Sequence, residues 1–232
     1  IGGLYKDGLW QASSDYEKAD IHRVFGKNAA VFVAPNLRSP GPEQPLVEGQ
    51  RSKAPGSLSV AFLSRISPKK NLDVALRMLA NLTGRIEFHI YGPREVSDYW
   101  NDCARLIQDM PPNVRVADHG AIRPEEVQVA LRQHHLFFFP TRGENFGFVV
   151  LDALLAGCPV LLSDQTPWRQ LPEKGAGWDL PLEPHAAMQQ VLERCVEMDD
   201  EAFQRLSRSA RQYGQAVASD RQAADANRVL FY

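Results

Sequence analysis

What most limits the fold of this chain is a series of short apolar runs, each followed by a stretch with helical spacing. The runs fall at 58–63, 86–91, 114–117, 136–139 and 160–162, and helical segments lie near 71–82, 97–109, 124–133 and 147–157. Runs this short and this uniformly apolar read as strands covered on both faces. Helices between successive strands supply the crossovers that parallel pairing requires. The expectation is an α/β fold, a doubly wound parallel sheet with helices on both faces. Beyond about residue 184 the chain reads as helical to its end. In such sheets a ligand sits outside the carboxyl ends of the strands, so the loops after Leu63, Tyr91, Ala117 and Phe139 are the ones to inspect.

Before the series, 16–25 reads as a helix and 29–33 as a short strand. Residues 35–55 hold five prolines, which suit neither a helix nor a central strand, and read as a linker. Apolar residues at 44% and charged ones at 23% are ordinary for a chain with a buried core. A net charge of −2 gives no electrostatic reason to expect nucleic acid as a partner. No apolar run approaches the ~20 residues of a membrane helix. The first residues lack a signal-peptide layout and an initiating Met, so the chain reads as trimmed from something longer. Cys103, Cys158 and Cys195 are far apart and odd in number, which fits a reducing cytosol better than a disulfide framework or a zinc site.

Two loops carry the chemistry. The first runs Ser64-Arg65-Ile66-Ser67-Pro68-Lys69-Lys70-Asn71, with Ser67 and Pro68 as a helix cap and first helical position. Cations at the positive end of a helix dipole are unfavourable by about 0.3–1 kcal/mol each, a sign that a bound anion reverses. The plain alternative is a solvated basic turn that tolerates the cost. The second loop, Pro140-Thr141-Arg142-Gly143-Glu144-Asn145-Phe146-Gly147, opens the segment Phe148-Val149-Val150-Leu151-Asp152-Ala153-Leu154-Leu155. Apart from Asp152 that helix is apolar all round, so it should be buried. Its acid must then pair internally or accept hydrogen bonds from something bound. Glu144, near a helix start, is also simply favoured by the dipole.

Together with Ala156-Gly157-Cys158-Pro159-Val160, these segments resemble the retaining glycosyltransferases of sequence family 4, from Ala12 to the C-terminus. The resemblance implies the C-terminal, Rossmann-like half of a GT-B fold with C-terminal helices. It divides the chain into a remnant of an N-terminal acceptor domain at 1–34, the linker at 35–55, a nucleotide-sugar domain at 56–215 and a final helix at 216–232. The family's two glutamates, with seven residues between them, fall on Glu144 and Asp152, where the second acid departs from the pattern. By resemblance Arg65, Lys69 and Lys70 would hold the donor diphosphate, and Glu144 the transferred sugar. Asp152 would meet the ribose, and backbone amides of Phe146, Gly147, Phe148 and Val149 would complete the cradle. The turn Gly120-Ala121-Ile122 would offer main chain to the base.

Arg65, Lys70 and Glu144 are thus the candidate catalytic residues. No metal and no resident cofactor are expected: preorganised cations and a helix dipole can take the charge of the leaving diphosphate. No Asp-x-Asp pair suited to bridging magnesium is present. The implied function is transfer of a sugar from a nucleoside-diphosphate sugar, UDP slightly favoured, to a glycan or lipid-linked acceptor. The implied place is the cytoplasm or the inner face of a membrane. With most of an N-terminal domain missing, the chain alone is expected to bind the donor without transferring the sugar. A nucleotide-sugar epimerase or hydrolase of the same fold and a non-catalytic binding module are the competing readings. His134-His135 read as capping or surface residues rather than metal ligands, Cys158 as packing, and Asp199-Asp200 as a helix start. Residues 164–168 read as the turn after the last strand, with Trp168 either covering the donor pocket or packing in the core.

Overall fold

The computed structural model describes residues 8–34 and 51–220. The main body is a six-stranded sheet built from β3 (Ser57–Leu63), β4 (Arg85–Tyr91), β5 (Val114–Asp118), β6 (Leu136–Phe139), β7 (Val160–Ser163) and β8 (Gly177–Leu180). The strand order is β5-β4-β3-β6-β7-β8, and every pair is parallel. Residues Val60, Phe62, Phe88, Phe137, Phe139 and Leu161 are fully buried, as strands covered on both faces require. The covering helices are α2 (Leu72–Ala80), α3 (Ser97–Gln108), α4 (Val127–Leu131), α5 (Phe148–Leu155), α6 (Ala186–Glu197) and α7 (Asp200–Ala218). Among the described residues no helix is long and apolar enough to cross a membrane.

The order of strands reverses between β3 and β6. That switch point lies between the ends of the two strands whose loops carry the basic turn and Glu144. Topology therefore brings together two segments far apart in the sequence.

The parallel sheet and its five strands agree with the expectation, and the structure adds a sixth. Residues 164–168 do not follow the last strand, because β8 pairs outside β7. Gly177 opens β8 with φ 143°, and a Cβ there would lie 1.9 Å from the Val160 carbonyl oxygen. The strand thus starts at a position open only to glycine, a residue that reads in sequence as a turn. A smaller unit precedes the main body. There β1 (Leu9–Ala12) and β2 (Ala30–Val33) pair in parallel across α1 (Asp15–Phe25).

Residues 51–55 belong to the main body rather than to a linker. Lys53 is 3% exposed, and its Nζ donates to the carbonyls of Ala54, Val196 and Met198 at 3.0, 2.9 and 3.0 Å. The expected linker at 35–50 and the apolar terminus at 221–232 lie outside the described residues. Helix α7 runs unbroken past residue 215, and Asp199 caps its start by accepting from the Ala202 amide at 2.8 Å.

His134 is buried and His135 half-buried, and both rings bond into the fold rather than capping a helix. His134 is 2% exposed, with one ring nitrogen 2.9 Å from Ser59 Oγ and the other 2.9 Å from the Tyr91 hydroxyl. His135 Nδ1 accepts from the Ser59 amide at 3.0 Å. Burial drives both imidazoles down, to about 3 and about 4, and the same effect raises the Tyr91 phenol to about 12. Cys158 is fully buried and its thiol pushed up to about 12, which fits packing and not nucleophilic chemistry.

Candidate functional site

The loop after β3 makes one 3-10 turn, Pro68–Lys70, before α2 begins. Ser67 precedes Pro68 at the cap position, but its side chain makes no capping bond. Asn71 takes a left-handed conformation, φ 58°, between the turn and the helix. Its side chain donates to the Pro140 carbonyl at 2.9 Å and accepts from Arg142 Nε at 2.7 Å. The Arg142 amide donates to the Lys69 carbonyl at 2.8 Å. Loop 64–71 and loop 140–147 are therefore stitched together by main chain and by one asparagine. Thr141 and Ser163 continue the stitching inward, the Ser163 hydroxyl donating to the Thr141 carbonyl at 2.5 Å.

The stitching brings Lys70 against Glu144. Lys70 is 8% exposed, and its Nζ lies 2.7 Å from Glu144 Oε2 and 5.3 Å above the Phe139 ring. Two opposite charges this well buried repay their desolvation only with good geometry, so the pair argues for a specific role more than for stability. Glu144 itself is held by its amide, which donates to the Gln165 carbonyl at 3.0 Å.

Gly147 then turns the chain into α5 with φ 80°. A Cβ on it would meet Glu144 Cγ at 3.0 Å and Trp168 Nε1 at 3.3 Å. Trp168 is buried, and its Nε1 donates to the Phe146 carbonyl at 2.6 Å. It packs as core and pins the main chain just before the helix.

These parts line a cleft of about 340 Å³. Of the residues expected at the site, Arg65, Lys70, Glu144, Phe146, Gly147, Phe148 and Val149 line it together. Arg65 is exposed, and its guanidinium meets Glu95 at 2.5 Å. Lys69, Ile122 and Asp152 are not among the lining residues. Lys69 serves through its carbonyl, while Ile122 packs half-buried against the core. Asp152 is 3% exposed within α5 and accepts from Gln128 Nε2 at 3.2 Å. In the turn 120–122, the Gly120 carbonyl accepts from the Gly92 amide at 2.7 Å.

The lining residues Ser13, Glu17 and Asn145 carry no role in the sequence reading, although Asn145 stands in the second loop. Ser14 and Glu17 have the three-residue spacing of a helix cap, and the Ser14 hydroxyl accepts from the Glu17 amide at 3.3 Å. That spacing was a readable signal, though it does not say what the helix start faces.

The parallel sheet, its switch point and the stitched pair of loops define an α/β Rossmann-like domain of the GT-B type. Residues 57–197, more than half of the chain, match the family described as glycosyl transferases group 1, and the chain belongs to that family. A D-inositol 3-phosphate glycosyltransferase of Nocardia farcinica is 32% identical over 118 residues, 48% of this chain and 26% of that protein. Anabaena HepE, solved in complex with UDP and glucose, superposes with a TM-score of 0.74 at 18% identity, over 96% of this chain and 61% of that one. Sucrose-phosphate synthase from Thermosynechococcus elongatus gives 0.74 at 18% identity, over 98% and 58%. At such identities the structural likeness is one of fold. The chain spans less than two thirds of the length of each of these relatives.

Proposed function

We infer that the cleft at the β3–β6 switch point binds a nucleoside-diphosphate sugar, and that the chain supplies the donor site of a retaining, metal-independent glycosyltransferase. A glycan or lipid-linked glycan would be the acceptor. The observation that carries this reading is the ion pair between Lys70 and Glu144 at the start of α5. A diphosphate entering here competes with Glu144 for Lys70, and the start of α5 favours the same anion. Glu144, released from the lysine, is left to accept from sugar hydroxyls. In transfer, the bond from the sugar's anomeric carbon to the diphosphate oxygen breaks, and the acceptor hydroxyl forms the new bond on the same face. Its proton passes to the departing phosphate, whose charge Lys70 and Arg65 stabilise without reorganising. That HepE was solved with UDP and glucose supports a sugar nucleotide as the ligand class.

Replacing Lys70 by Ala should weaken UDP by about 1.5–3 kcal/mol, the scale of charge-assisted hydrogen bonds, and leave uridine nearly unaffected. Calorimetric titration of both ligands into both proteins decides it. Equal UDP affinity in parent and variant would remove the diphosphate from this cleft.

A further inference from the structure

We propose that Ser14 and Glu17, at the start of α1, are positioning residues for the donor loop: through Asn145, whose amide donates to Glu144 Oε1 at 3.1 Å, they set Glu144 for the transferred sugar. The proposal rests on the donor-site reading above.

Three consecutive residues of the loop are each tied to a different anchor. The Glu144 amide donates to the Gln165 carbonyl at 3.0 Å, and the Phe146 carbonyl accepts from Trp168 Nε1 at 2.6 Å. Both anchors lie in the segment after β7. Asn145, between them, is tied to the smaller unit instead. Ser14 Oγ donates to the Asn145 carbonyl at 2.7 Å, and Asn145 Nδ2 donates to Glu17 Oε1 at 2.8 Å. The other carboxylate oxygen of Glu17 is held by the Ser13 amide at 2.7 Å and the Ser13 hydroxyl at 2.6 Å. Both oxygens of Glu17 are thereby directed, and the carboxylate is fixed toward Asn145 rather than swinging in solvent.

Stability alone does not account for this arrangement. No residue of α1 is buried, and its ties to Asn145 are exposed. Exposed polar ties add little to global stability. The loop they grip has glycine at 143 and at 147, on either side of the Glu144-Asn145-Phe146 triplet, so its backbone is permissive without them. Recognition of sugar hydroxyls requires Glu144 to hold its place within a fraction of an ångström. Ser13 and Glu17 also line the same cleft as Lys70 and Glu144, so the clasp stands at the site itself.

The test is titration calorimetry. UDP-glucose, GDP-mannose and ADP-glucose are offered to the parent chain, and the tightest ligand is carried forward with its nucleoside diphosphate. Glu17→Ala and Ser14→Ala should each weaken the sugar nucleotide on the order of ten-fold and leave the diphosphate within about two-fold. Glu17→Gln still presents an oxygen to Asn145 and should recover most of the loss. Amide exchange at Asn145 should quicken in Glu17→Ala at an unchanged melting temperature. Variants that bind both ligands as the parent does overturn the clasp, as does an equal loss of both ligands with a lowered melting temperature. A parent that binds none of the three sugar nucleotides overturns the donor-site reading itself, and the clasp with it.

Discussion

A carboxylate placed in an apolar helix has to be accounted for atom by atom, and Asp152 is such a case. It sits in α5 among Val150, Leu151, Ala153 and Leu154, all buried, and Gln128 donates to its Oδ1 at 3.2 Å. Replacing it with Ala leaves that amide without its acceptor, and the stability loss should be about 1–3 kcal/mol by thermal or urea unfolding. The ribose contact proposed from the family resemblance adds a second, separable expectation. If it is made, Asp152→Ala weakens UDP more than 2′-deoxy-UDP or pyrophosphate. Equal losses on all three ligands leave only the structural role. The two effects are read on different instruments, so neither can hide the other.

At the scale of elements, the segment ahead of β3 behaves as a fastener. Arg51 donates to the carbonyls of Leu131, His134 and Gly157 and to Ser207 Oγ, tying α4, the α5–β7 corner and α7 to one guanidinium. Its planar fork reaches four acceptors from two nitrogens, one more than the three N–H groups on the single nitrogen of a lysine can serve. Arg51→Ala should lower stability by about 2–4 kcal/mol, because its bonds to three carbonyls and one hydroxyl are lost together. Arg51→Lys should recover only part of it; full recovery in a melting experiment would show that charge, not the fork, matters. Sequence alone hides this role, since five prolines in 35–55 mark the whole stretch as a linker. The strands β3 to β7 are legible because each is a dense apolar run between helices. The strand β8 is not, because Gly177, Asp179 and a half-buried face give no period to read. Of the site, the basic turn and the Glu144 loop could be picked out by composition at helix starts. The Lys70–Glu144 pair could not, because it depends on strand order, and Glu17 meets Asn145 only through a contact 128 residues apart in sequence.

For the molecule as a whole, the histidines at 134 and 135 shape the response to acid. His134 and His135 stay neutral in the fold down to about 3 and about 4, whereas the unfolded chain protonates them near 6.5. Above 6.5 neither state binds these protons and stability is unaffected. As pH falls below it, the unfolded state takes up protons that the fold excludes, so stability declines until the folded values are reached. The slope is about 1.4 kcal/mol per pH unit for each histidine. Melting temperature should therefore drop between pH 7 and 5, before most carboxylates titrate, and His134→Gln should remove about 1.4 kcal/mol per pH unit of that slope. An unchanged slope in His134→Gln would show that His134 is protonated in the fold. The central pairing of the sheet has a different consequence. Val60 and Ala61 meet Leu136 and Phe137, so β3 and β6 join only after 75 intervening residues have been brought into place. The basic turn and the Glu144 loop each hang from one of those strands, and a partly folded chain with only one of them docked lacks the Lys70–Glu144 pair that the cleft is built around. Whatever ligand the cleft takes, it can therefore recognise only the completed fold, and its binding draws the equilibrium toward that state and away from every intermediate.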